Sequence, residues 1–117
     1  MSHIIREGGN DLMSDYVIHN KVVYLSGVVA ADPSTDAEDQ IQQVLDEIDD
    51  RLQRAGSDKT KLLSALIWLK DIERDFDVLN ELWEDWVDPL GQPARATCQA
   101  LMANPDILVE ITVTAAL

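Results

Sequence analysis

Residues 59–72, KTKLLSALIWLKDI, decide how the rest of the chain is read. The run is mostly apolar over about the length of a strand, a pattern typical of a strand buried on both faces. A segment of helical periodicity lies on each side of it. Upstream, DAEDQIQQVLDEIDDRLQRAG (36–56) repeats Ile41, Val44, Ile48 and Leu52 at helical intervals, so they share one face. Acidic residues crowd the start of this helix, Arg51 and Arg54 lie near its end, and Gly56 is a natural C-terminal cap. Thr35 followed by Glu38 has the spacing of a capping box. Downstream, DFDVLNELWEDWVDP (75–89) predicts a second helix with Phe76, Leu79, Trp83 and Trp86 on one stripe, ended by Pro89 and Gly91.

The flanks read as strands. HIIR (3–6) is a short first strand with GGND as the loop after it. Tyr16–Ile18 and Val22–Val28 form a hairpin with His19, Asn20 and Lys21 in its tight turn. Near the end, Ala94–Leu101 and Ile107–Ala115 read as two strands joined by an Asn-Pro turn. Strands, helix, strand, helix, strands is an α+β order, with both helices covering one face of a single sheet. Strand–helix–strand crossovers between parallel strands should be right-handed. No repeat or linker divides residues 1–117, which are read as one domain. The strands carry apolar residues on both faces, as where Val22 and Tyr24 alternate with Val23 and Leu25. A sheet face left bare by the helices predicts a homo-oligomer.

Composition narrows the function classes. At 117 residues, 46% hydrophobic and 26% charged, the chain suits a globular domain with a core of its own. The net charge is −13, from 22 acidic and 9 basic side chains. Such a surface repels nucleic-acid phosphates and anionic membranes, so neither is an expected partner. No apolar stretch approaches membrane-spanning length, and MSHIIREGGND lacks the apolar middle of a signal peptide. With one cysteine, Cys98, no internal disulfide can form, and a cytoplasmic location is expected.

Glycine-rich phosphate loops, nucleophile elbows and paired metal ligands are absent from the sequence. His3 and His19 fall near the terminus and in a turn, where surface exposure outweighs a metal role. Trp83 and Trp86 read as core, and Cys98 as a small buried hydrophobe. Arg95 and Glu110 remain. Arg95 is the only cation after Arg74, and it shares a strand face with Thr97 and Gln99; Glu110 shares one with Thr112 and Thr114. Two readings fit: structural charges, paired or merely exposed, or a site for a small organic acid. In the second, a guanidinium fork grips a carboxylate and Glu110 orients or deprotonates a water.

Pro93-Ala94-Arg95, then Cys98, then Val109-Glu110-Ile111, together with Tyr24-Leu25-Ser26-Gly27, resembles the signature of the RidA/YjgF family. VIHN early and LWEDWVD before the arginine look closest to its YoaB-like branch. The resemblance spans essentially the whole chain. It implies a chorismate-mutase-like α+β fold, a homotrimer, and a cleft between neighbouring subunits. It also implies hydrolysis of reactive enamines and imines, such as 2-aminoacrylate, to 2-keto acids and ammonia, with no metal or organic cofactor. By that resemblance Arg95 clamps the substrate carboxylate and Glu110 positions the attacking water. The backbone around Gly27 and Cys98 helps hold the ligand, and Asn80 matches a polar residue of the family's second helix. Met13 falls where the family has an aromatic beside the cleft, a departure that bears on substrate range. A cofactor-independent deaminase of the 2-iminobutanoate/2-iminopropanoate kind is the first expectation. The alternative is a non-catalytic module that senses a small carboxylic metabolite in the same clefts.

Overall fold

A computed structural model describes residues 3–117. In chain order it forms β1 (Ile5–Glu7), β2 (Tyr16–His19), β3 (Val22–Leu25), α1 (Ala37–Ala55), β4 (Leu62–Leu69), α2 (Ile72–Trp86), β5 (Ala94–Gln99) and β6 (Val109–Ala116), with a 3-10 turn at Lys59–Lys61. The strands make one sheet in the order β1-β2-β3-β6-β4-β5. Only β4 and β5 run parallel, joined by α2; every other neighbouring pair is antiparallel. The mixed sheet and its two helices agree with the α+β expectation.

Local chemistry explains the elements. In α1 the periodic residues Ile41, Val44, Ile48 and Leu52 are fully buried against the sheet. Each such side chain contributes about 1.5–3 kcal/mol by leaving water. The N-cap is Asp36 rather than Thr35: its carboxylate accepts the backbone N–H of Asp39, while the Thr35 hydroxyl donates to the Asp32 carbonyl. Gly56 closes the helix in the left-handed region at φ 88°. The β2–β3 hairpin turns through two residues, Asn20 and Lys21, both at positive φ (50° and 64°), which suits the right-handed strand twist. His19 therefore belongs to the strand.

Further expectations are corrected. β5 and β6 are not a hairpin: β6 inserts between β3 and β4, and the Asn104-Pro105 turn belongs to a connection passing the end of β4. There Lys70 N–H donates to the Leu108 carbonyl, and Ala100 N–H donates to that of Leu69. On α2 the buried stripe runs Asp75, Leu79, Trp83 and Trp86, while Phe76 is exposed. Asp75 tolerates burial because Arg74 clasps its two oxygens from Nε and Nη2, both at 2.8 Å. Finally, β4 is buried on one face only in the single chain. Ala65, Ile67 and Leu69 face the helices, whereas Leu63 and Leu66 are about half exposed (47% and 48%). The helices cover one side of the sheet, which leaves Tyr24, Leu66 and Cys98 open on the other. Cys98 is thus an exposed thiol in the single chain rather than a buried hydrophobe.

Candidate functional site

Arg95 lies on β5, the outermost strand at one end of the sheet, in register with Ala65 of β4. Ala65 and Ile67 are buried under the helices, so Arg95 and Thr97 share their face and meet α2. The guanidinium is held three ways. Its Nε donates to Thr97 Oγ1 at 3.1 Å, its Nη2 donates to Asn80 Oδ1 at 2.7 Å, and its Cζ stands 5.5 Å from the centroid of the Trp83 ring. None of these partners is charged. Partial burial pushes the Arg95 guanidinium below its ordinary pKa, yet it stays protonated. Among the described residues Arg51, Arg54 and Arg74 pair with carboxylates within 4 Å, whereas the partly buried Arg95 and the exposed Arg6 do not. Of the five N–H donors that a guanidinium carries, two are engaged, and those on Nη1 face no protein acceptor.

Glu110 occupies the other side of the sheet. It pairs with Trp68, between the buried Val109 and Ile111, and so points away from the helices. Its carboxylate lies over Gly27, where any Cβ would collide with it. The chain has room for this because β3 ends at Leu25 and pairing resumes only at Val28, bridged to Ile111. Ser26 is tied back to the β1–β2 loop, its hydroxyl donating to the Ser14 carbonyl at 2.6 Å. Met13, the residue before Ser14, is exposed and follows a turn in which Asn10 Oδ1 accepts the N–H groups of Leu12 and Met13. Gly27 and Glu110 therefore form one cluster, with Met13 joined to its rim through the chain. Arg95, Thr97 and Asn80 form another.

Within one chain the two clusters are apart. Glu110 is in register with Trp68, and Trp68 with Cys98, three residues along β5 from Arg95. Two strand spacings and three residue rises put the Arg95 and Glu110 Cα atoms about 14 Å apart, on opposite faces. Cys98 stands on Glu110's side of the sheet and Thr97 on Arg95's. A depression of 370 Å³ lies along the β4–β5 pair; of its lining residues Ser64, Leu66, Ala94 and Ala96 belong to the open face, and only Ala65 and Arg95 to the face of the guanidinium. The larger one, 560 Å³, lies between α1 and Val29–Ala31; its arginine, Arg51, is already paired with Glu47, and it touches none of these groups.

The sequence profile described as Endoribonuclease L-PSP matches residues 11–117. The chain is also 39% identical, over 97% of its own length and 97% of the relative's, to the RutC family protein YoaB of Escherichia coli. The chain belongs to the RidA/YjgF family. Another RutC family protein, from Haemophilus ducreyi, is 41% identical over 89% of this chain and 88% of that one. Among solved structures, a YjgF family member from Neisseria meningitidis superposes with a TM-score of 0.93 at 37% identity, covering 97% of this chain and 94% of its own. The Rid family protein YyfA of Yersinia pestis gives 0.84 at 30% identity, covering 93% and 90%. The mixed sheet of this chain is thus the fold of its RidA/YjgF relatives.

Two neighbours of Arg95 escape a reading of the sequence. Thr97 shares the arginine's strand face, but nothing in the sequence gives its hydrogen bond to the guanidinium. Trp83 reads as core and is buried, yet one face of its ring carries the guanidinium. Asn80 and Trp83 are three apart on α2 and so share a helix face; that spacing was the available signal. Among the described residues no cluster of His, Cys, Asp and Glu suits a metal ion, and no helix is long and apolar enough to cross a membrane.

Proposed function

We propose that this RidA/YjgF protein hydrolyses small enamine and imine acids of the 2-aminoacrylate type to 2-keto acids and ammonia, in clefts between copies of a homotrimer. The observation that carries the reading is Arg95: a partly buried guanidinium held only by neutral groups, with donors free for a carboxylate. A carboxylate-bearing substrate would supply the counter-charge in bidentate geometry. After tautomerisation of enamine to imine, water held by Glu110 adds to the C=N carbon. The carbon–nitrogen bond then breaks, ammonia leaves and a 2-keto acid remains. Gly27 leaves space for the Glu110 carboxylate, and the backbone at Gly27 and Cys98 lines the ligand.

Because Arg95 and Glu110 lie on opposite faces of one sheet, the site we propose combines Arg95 of one copy with Gly27 and Glu110 of the next. The open sheet face, with Tyr24, Leu63 and Leu66, is the apolar surface available for that association. Mixing tests it. Arg95→Ala and Glu110→Gln should each be inactive, whereas unfolding, mixing and refolding the two together should restore activity to about a quarter of sites. No recovery in a mixed trimer would overturn the shared site.

A carboxylate sensor in the same clefts would also need Arg95. Glu110→Gln separates the two: in a deaminase it keeps ligand affinity and loses turnover. Tight keto-acid binding with no turnover in the unmodified protein would favour sensing. Ribonuclease activity, which the family's description names, is opposed by the net charge of −13. RNA cleavage at low salt that tracks the trimer fraction would revive it.

A further inference from the structure

Arg95 is the end of a stack, and the stack reaches across both helices. Trp83, which carries the guanidinium on its face, packs on Trp86 with ring centroids 5.3 Å apart and planes tilted by 50°. The Trp86 indole N–H donates to Asp49 Oδ2 of α1 at 3.0 Å, and Lys59 Nζ lies 5.4 Å from the centre of the same ring. Both indoles are buried. A ring held at its far end in this way cannot swing with the arginine it supports.

We infer that Trp83 and Asn80 are positioning residues that aim Arg95 while leaving its charge uncancelled, and thereby set the affinity for the substrate carboxylate. This rests on the carboxylate-binding role proposed for Arg95 and adds how that role is kept available. A buried cation needs partners. A carboxylate would satisfy it best, but would occupy the fork that the substrate must enter. The aromatic face offers negative potential without a counter-ion, and the Asn80 amide oxygen accepts one N–H without bringing charge. Both hold the guanidinium in place; neither competes for the ligand.

Asn80→Asp is the decisive variant because it is nearly isosteric and keeps the acceptor. A structural role for Asn80 survives it, with thermal stability unchanged or raised. The aiming role does not. Pyruvate, a small 2-keto acid, should then bind about tenfold more weakly to the full-length chain, and KM for an imino acid generated in situ should rise similarly. An Asn80→Asp protein that binds pyruvate like the unmodified chain would overturn the inference. Trp83→Leu should weaken pyruvate binding by about tenfold and Trp83→Phe, which keeps a ring face, by about threefold or less. Equal losses in the two would assign Trp83 to packing alone.

A ligand-free measurement separates this inference from the proposed function. The Arg95 Nε–H resonance, assigned by its absence in Arg95→Lys, should be shifted upfield by the ring in the unmodified chain and in Trp83→Phe. In Trp83→Leu it should move downfield as the ring current is lost, while its hydrogen bond to Thr97 remains. The same position in the unmodified chain and in Trp83→Leu would sink the positioning role whatever the protein binds. The expected shift with no pyruvate binding at all would instead refute the carboxylate role of Arg95, and with it the affinity-setting half of the inference.

Discussion

Arg51 and Arg54 on one side and Arg95 on the other live in contrasting neighbourhoods. At the C-terminal end of α1, Arg51 and Arg54 are matched by Asp15, Glu47 and Asp50, with N–O distances from 2.8 to 3.8 Å. At the edge of the sheet, Arg95 is held by an amide oxygen, a hydroxyl and an indole face. The first arrangement completes itself: each cation has its anions in place, and the network ties the β1–β2 loop to α1. The second stops one partner short. Glu110, over Gly27 on the opposite face, is likewise in no ion pair among the described residues. In a chain with 22 acidic side chains, an arginine surrounded by neutral groups is a more specific signal than a paired one.

The sharpest way to break this contrast is to exchange the roles. Arg95→Ala should remove turnover of imino acids generated in situ, with a loss of about 2–5 kcal/mol in transition-state stabilisation if the contact is desolvated. Its melting temperature and assembly should stay near those of the unmodified protein. Arg51→Ala should do the reverse, keeping kcat/KM and losing stability. If both variants lost activity equally, the contrast between the two neighbourhoods would carry no functional meaning.

Gly27→Ala probes the other half of the site. Its Cβ would meet the end of the flexible Glu110 side chain, which can move aside. The stability cost should therefore stay below about 1 kcal/mol, while kcat falls by roughly tenfold or more because a displaced carboxylate no longer orients the water. A variant with full activity would mean that Glu110 does not work from the position it holds over Gly27.

How far the sequence disclosed these neighbourhoods depends on whether the signal was local. The buried face of α1, its Gly56 cap and the turn at Asn20 and Lys21 rest on spacing or on single-residue conformational preference, and the structure agrees with them. The position of β6 between β3 and β4 rests on pairing between segments far apart in the chain, which no short pattern encodes. The same gap hid the opposite facing of Arg95 and Glu110. Alternation groups residues within each strand, but only the register through Trp68 says which group of β5 shares a face with which group of β6. On α2, Phe76 and Asp75 are adjacent and helical periodicity fits either. Hydrophobicity chose Phe76; the clasp from Arg74 decided for Asp75. The arginine and the glutamate were thus legible as residues but not as a geometry.

The smallest effects should come from the paired cluster, and they also separate its two arginines. The Arg51 side chain is 17% exposed and meets Glu47 and Asp15; that of Arg54 is 43% exposed, although it reaches Asp15, Glu47 and Asp50. Exposure weakens each pair through solvent and salt more than the number of partners strengthens it. Arg51→Ala should therefore cost about 1 kcal/mol, and Arg54→Ala about 0.5 kcal/mol. Around 1 M salt, where the Debye length falls to about 3 Å, the Arg54 effect should vanish from thermal unfolding while part of the Arg51 effect persists. A larger, salt-resistant cost for Arg54→Ala would show that the number of partners, not burial, governs this cluster.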